Sequence, residues 1–197
     1  MTSIVATRVN DNGRFDAVAA PFLEGEGLPF AEVLDAKSIE RAFDVEGGLF
    51  AQDGIFSTDI TLWAFLAQVL RDGKGASCAA AVADIITYMV QTGQKPPAGD
   101  TGDYCRARAK LSVPALQNLV LGLAGQLELE ADESWLFHGL HAKLVDGFTV
   151  TMPDTPDNQA EFPQSSTQNA GAGFPIARCC TVVSAATACM CDMAMGP

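Results

Sequence analysis

From residue 57 onward the apolar positions of this chain follow two successive rhythms. Ser57-Thr58-Asp59 supplies N-cap side chains, and Leu62, Phe65, Leu66, Val69 and Leu70 then recur at the spacing of one helix face. Asp72-Gly73 closes that segment. Ser77 can cap a second helix, in which Val82, Ile85, Ile86, Met89 and Val90 repeat the pattern until Gly93 and Pro96-Pro97 end it. A loop through Asp100-Thr-Gly-Asp103 leads into a short helix across Tyr104 to Leu111. Ser112, with Pro114 in the first turn, opens another helix carrying Leu116, Leu119, Val120 and Leu123 on one face. A helical pattern also begins near Ala36. Residues 1–30, with Asn12-Gly13 and Glu24-Gly-Glu-Gly27, read as a loosely ordered arm. The three matched stripes predict a small helical bundle.

The period changes near Glu133. Trp135 to Gly139 and Leu140 to Met152 read as strands, Pro153 to Gly173 as a polar connection, and Ile176 to Ala186 and Ala188 to Met195 as further strands. Thr187 falls near the turn between the last two. The expected fold class is α+β, an N-terminal helical bundle followed by antiparallel strands. The expected organisation is an arm over 1–30, a helical domain over 31–132 and a strand domain over 133–197. A three-stranded sheet with one apolar face and no covering helix is only marginally stable, so the strand region reads as unfinished.

Composition narrows the class. An apolar content of 48% in 197 residues suits a globular chain. The net charge of −12 favours solubility and works against non-specific attraction to nucleic acid or anionic membrane. The N-terminus lacks the pattern of a signal peptide, and the longest uncharged apolar run, Cys179 to Cys191, is shorter than a membrane span. A cytoplasmic protein with six reduced thiols and no membrane partner is expected.

One residue stands out chemically. Asp146 sits in the apolar, β-branched run around Lys143 to Met152, where an ionised carboxylate is costly unless a cation or hydrogen bonds meet it. Spacing alone leaves two readings, a metal-binding acid or an Asp146-Gly147 hairpin turn. His138 and His141 would face opposite sides of a strand, which does not suit a shared ion. Cys179-Cys180 and Cys189-x-Cys191 lack the Cys-x-x-Cys knuckles of zinc ribbons and read as small packing residues. Cys78 and Cys105 stand alone in the sequence and fit helix packing. Arg106, Arg108 and Lys110 are the one concentration of positive charge. Arg106 and Lys110, four apart, could share a helix face and bracket a phosphate, or form an ordinary solvated surface. Phosphate-binding glycine loops, Ser/His/Asp triads and redox Cys-x-x-Cys motifs are absent from the sequence.

A series of short words resembles bacterial insertion-sequence transposases of the DDE type, in the IS-four family. They are Leu144-Val-Asp-Gly147, Thr149-Val-Thr-Met-Pro-Asp-Thr-Pro156, Asn158-Gln159, Pro163-Gln-Ser-Ser166, Gly173-Phe-Pro-Ile-Ala-Arg178 and Met193-Ala-Met-Gly-Pro197. Upstream, Ile39-Glu-Arg-Ala-Phe43, Thr61-Leu-Trp-Ala-Phe-Leu66, Gln68-Val-Leu70 and Asp100 through Leu111 agree as well. The likeness spans residues 28–197 in order.

The resemblance implies a ribonuclease-H-like catalytic core whose first strand carries the first catalytic acid, matched by Asp146. It also implies Mg²⁺ held at Asp146, transposon-end DNA as partner, and DNA cleavage and strand transfer as the family's activity. Arg106, Arg108 and Lys110 become the expected DNA contacts. Two departures accompany it: Phe148 stands where the family has a hydroxyl residue, and the second Asp and final Glu have no counterpart before Pro197. The expectation is therefore a truncated transposase with an incomplete core, inactive alone. The alternatives are a DNA-binding or dimerising fragment that inhibits a full-length transposase, either by pairing with it or as a homodimer, and an inert pseudogene product.

Overall fold

The computed structural model describes residues 34–165, 167, 169, 171 and 173–197; the arm expected over 1–30 lies outside them. Among the described residues the class is α+β, with six α-helices and one three-stranded antiparallel sheet. The chain divides into two compact units, one running to Leu116 and the other from Gln117 to Pro197.

In the first unit, α1 (Ala36–Val45) starts at Asp35, whose carboxylate accepts the Ser38 N–H at 2.7 Å. It buries Ile39 and Phe43. α2 (Thr58–Val69) departs from the one-faced helix expected of it. Thr58, Ile60, Thr61, Leu62, Trp63, Ala64, Ala67 and Gln68 are all buried, while Val69 is exposed. The cause is position: α2 touches α1, α3 (Cys78–Gln91) and α4 (Gly102–Arg108), so more than one face is covered. The α3 helix behaves as its spacing predicts. Ser77 accepts the Ala80 N–H at 3.2 Å, Ala81, Val82, Ile85 and Met89 are buried, and Val90 faces water. Gly93, at φ +71°, closes this helix by adopting a left-handed conformation that favours glycine. The α4 helix stops at Arg108, short of the expected Leu111.

α5 (Val113–Leu129) carries the chain into the second unit. The strand expected at Trp135–Gly139 is replaced by a 3₁₀ turn over Glu133–Trp135 and a tight turn from Phe137 to Leu140. Reciprocal backbone hydrogen bonds of 3.0 Å close that turn. Its central residues, His138 (φ 52°) and Gly139 (φ 78°), are both left-handed, which ends any extended run. The sheet consists of β1 (Lys143–Thr151), β2 (Ile176–Ser184) and β3 (Met190–Gly196), in the order β1-β2-β3. Between β1 and β2 lies α6 (Pro156–Glu161), where only an irregular connection was expected. Thr155 caps it by accepting the Asn158 N–H at 3.2 Å, and Pro156 supplies a first-turn residue.

Register decides which residues share a face. Asp146 pairs with Thr181, Phe148 with Cys179 and Val150 with Ala177, while Met193 and Met195 sit across β2 from Thr181 and Cys179. Ala177, Cys179 and Thr181 on the central strand are buried. The flanking residues of that same face, Leu144, Phe148, Val150, Met193 and Met195, are exposed. That apolar face is therefore closed along the central strand and exposed along β1 and β3.

Candidate functional site

Two sets of side chains in the first unit and two in the second carry the chemistry. The loop before α2 is pinned by Thr58, whose hydroxyl accepts the Phe50 N–H at 2.8 Å and donates to the Phe50 carbonyl at 3.1 Å. Ala51, at φ 45°, turns the chain, and its carbonyl accepts the Gly54 N–H at 2.8 Å. This loop and α4 enclose an open groove of about 310 Å³ lined by Phe50, Ile55, Phe56, Arg106 and Lys110 among others. Lys110 holds its ammonium 5.8 Å from the centre of the Phe50 ring, within cation–π range. Arg106 is exposed and paired to Asp103 one turn back, so an incoming anion must compete with that carboxylate. The groove thus joins two cations to aromatic surface, the composition that suits a sugar-phosphate strand with an adjacent base. Arg106 and Lys110 share it although Lys110 lies beyond the end of α4.

Arg108 points elsewhere. Its guanidinium donates to Gln68 Oε1 at 3.1 Å and to Cys78 Sγ at 3.6 Å, and lies 5.9 Å from the Tyr104 ring centre. Gln68 is the hub of this second set. Its Oε1 also accepts the Tyr104 hydroxyl at 2.8 Å, while its Nε2 donates to the Ala76 carbonyl at 2.8 Å and to Cys78 Sγ at 3.6 Å. Tyr104 is fully buried, and burial pushes its hydroxyl up to about 12. Cys78 and Cys105, solitary in the sequence, fall on neighbouring helices here. Cys78 opens α3, Cys105 lies on α4, and these helices pack together.

In the second unit, Asp146 occupies the middle of β1, which excludes the hairpin-turn reading: its partner is Thr181 and the strand continues five residues beyond it, to Thr151. The carboxylate is exposed, not buried, and accepts its neighbour Gly147 N–H at 2.9 Å. The expected desolvation is missing because β1 is exposed along its whole length. Two divalent ions need several bridging and terminal donors between them. Among the described residues no group of three or more His, Cys, Asp or Glu side chains is placed to hold a metal ion. Asp146 by itself does not fit a two-ion centre.

The most strongly perturbed carboxylate lies elsewhere in that unit. Glu128, near the end of α5, meets the Lys143 ammonium, the His141 Nδ1 at 3.2 Å and the Thr187 hydroxyl at 3.2 Å. The hydrogen bond from Lys143, followed by one from Ser184, pulls its carboxyl down to about 2. Lys143 begins β1 and Thr187 lies in the β2–β3 turn, so Glu128 ties α5 to one end of the sheet. Sequence spacing offered no sign of this cluster, whose members come from three separate segments. His141 takes part in it, and His138 does not, being fixed in its turn against Phe137. Cys179 is buried and the adjacent Cys180 exposed, as alternation along β2 requires.

No protein-family profile, curated protein or solved structure matches this chain. No described helix is long and apolar enough to cross a membrane.

Proposed function

We propose that this chain is a region of a DDE-type insertion-sequence transposase that engages transposon-end DNA through its helical unit and carries the first catalytic acid on its sheet. The observation that carries this proposal is the placement of Asp146 in the middle of the first strand of a β1-β2-β3 antiparallel sheet. A ribonuclease-H-like core begins with such a strand and such an acid. The exposed apolar residues of β1 and β3 on the face of Asp146 agree with it, since a catalytic sheet of that kind requires a further layer over its strands. The ordered series of words from Ile39 to Pro197, which resembles the IS-four family, supports this reading.

Within this proposal the groove of Phe50, Phe56, Arg106 and Lys110 contacts the DNA backbone. Arg108 acts through packing, because its guanidinium is committed to Gln68 and Cys78. In the complete centre Asp146 would be one of the residues that hold Mg²⁺, and the ion would supply Lewis-acid chemistry there. The residues described here supply one acid toward that centre, so the chain by itself binds DNA and does not cut it.

Gel shifts with duplexes taken from the DNA flanking the coding sequence test the binding half. We expect retardation that weakens in Arg106→Ala with Lys110→Ala and persists in Asp146→Asn. Supercoiled plasmid carrying the same ends, incubated with Mg²⁺ or Mn²⁺, tests the catalytic half. Nicking by this chain that Asp146→Asn abolishes would overturn the single-acid account, and absence of any retardation at low salt would overturn the DNA assignment.

A further inference from the structure

We propose, resting on the reading of the groove at α4 as a DNA contact, that what enters it is an unpaired nucleotide of a single strand and not a duplex. Its base lies against the Phe50 and Phe56 rings, and its flanking phosphates meet Lys110 and Arg106. The recess measures about 310 Å³, with Phe50, Ile55 and Phe56 as apolar lining and Asp103, Arg106 and Lys110 as polar lining. That volume lies at the low end of small-ligand sites, about 300–1,000 Å³, which suits one nucleotide.

Both rings stand on fixed supports. The Thr58 hydroxyl accepts the Phe50 N–H and donates to the Phe50 carbonyl, which ties Phe50 to the first turn of α2. Phe56 lies 6.4 Å, centre to centre, from the buried Tyr104 ring at a tilt of 44°, and the Tyr104 hydroxyl is held by Gln68. Between the two rings the chain turns at Ala51 (φ 45°) onto Gly54, where a Cβ would come within 3.2 Å of the Ala51 carbonyl oxygen. Phe50, Ile55 and Phe56 nevertheless stay partly exposed. Rings held in this way offer stacking surface at little ordering cost.

The aromatic wall selects an unpaired base. In a duplex every base is already stacked on both sides, so phosphates and sugars are what a surface recess meets, and the rings gain nothing. An unpaired base brings a flat apolar face that the rings can cover. The charges then set where its phosphates go. Lys110 holds its ammonium 5.8 Å from the Phe50 ring centre, beside any base on that ring. Arg106 exchanges Asp103 for the second phosphate, and the exchange costs little because both side chains are mostly exposed. The net charge of −12 opposes phosphate from a distance, so electrostatics alone would hold a strand poorly. Stacking does not depend on net charge and supplies what the two cations lack.

The test measures fluorescence anisotropy of a labelled oligothymidylate of about 12 nucleotides, and of a blunt duplex of equal length, with the full chain at about 50 mM salt. The single strand is expected to bind at least about tenfold tighter than the duplex. Phe50→Leu, which keeps an apolar side chain but removes the ring, weakens single-strand binding roughly tenfold and duplex binding by less, and Phe50→Tyr restores it. Ultraviolet crosslinking of the wild-type complex, mapped by mass spectrometry, places the bond at Phe50 or Phe56. A duplex that binds as tightly as the single strand, with both weakened by Arg106→Ala/Lys110→Ala, overturns the unpaired-nucleotide site and leaves the DNA assignment standing. Tight single-strand binding without duplex binding upholds the site and removes the duplex half of that assignment. Binding of neither overturns both. Displacement of the strand by dTMP as effectively as by unlabelled oligothymidylate marks a free-nucleotide site and overturns the strand. Crosslinks confined to residues outside the groove also overturn it. The wild-type comparison needs no substitution and decides the matter even where Phe50→Leu disturbs folding.

Discussion

Replacing Gln68 by methionine preserves side-chain length and volume but removes every polar contact of the hub. Tyr104 then keeps a fully buried hydroxyl whose acceptor, Gln68 Oε1, is gone, and the Ala76 carbonyl loses its donor. An orphaned buried hydroxyl costs about 1–3 kcal/mol and an ordinary lost hydrogen bond about 1 kcal/mol, so Gln68→Met should destabilise the first unit by about 2–4 kcal/mol. Tyr104→Phe alone should cost about 1 kcal/mol, near the low end because Gln68 Oε1 still accepts from Arg108. The two changes should not add. Once Gln68 is gone, deleting the hydroxyl removes the orphan, so the second substitution costs about nothing or recovers part of the loss, a coupling of about 1–2 kcal/mol. Urea unfolding followed through buried Trp63, in a Trp135→Phe background that silences the exposed indole of the second unit, measures all four corners of the cycle. Additivity within about 0.5 kcal/mol would refute the hub as the element that joins α2, α3 and α4.

Acid should act mainly on the second unit. Glu128 titrates at about 2 when folded against 4.5 as its ordinary value, so between those limits the unfolded chain binds more protons. The stabilisation is fully present above about pH 4.5 and disappears as pH falls toward 2; the thermal midpoint of Glu128→Gln should show a flatter pH dependence than wild type across that window. Asp35 and Asp132, also lowered by hydrogen bonds from Ser38 and Ser134, contribute slopes of the same sign that the difference between the two proteins cancels. Phe43→Ala should cost about 3–5 kcal/mol because Phe43 is fully buried, read as a lower urea midpoint with unchanged slope. Ser77→Ala should cost about 1 kcal/mol through loss of the α3 cap, and no measurable loss would remove Ser77 from that role.

Helix existence was legible from spacing because α3 has one buried face, and its 3.6-residue rhythm prints that face directly onto Val82, Ile85 and Met89. The same rhythm misjudged α2, which neighbours cover on several sides; Val69 lies outside their reach, whereas Thr61 and Gln68 are drawn inside. Strand alternation placed Leu144, Asp146 and Phe148 on one face, yet it carries no information on whether a layer covers them. Backbone conformation defeated the strand expected before Leu140, since a left-handed His138–Gly139 pair is invisible to hydrophobic pattern. The Gln68 and Glu128 clusters were out of reach for another reason. They depend on which helices and strand ends meet, and no local rule encodes that.

The DNA assignment at Arg106 and Lys110 is most directly tested by equilibrium binding to the flanking duplexes across a salt series, comparing wild type with Arg106→Ala/Lys110→Ala. Two phosphate contacts release counterions such that the slope of log affinity against log salt should be about 1.8 units steeper in wild type than in the double variant. Binding that is absent at about 50 mM salt, or slopes that coincide in the two proteins, would contradict it.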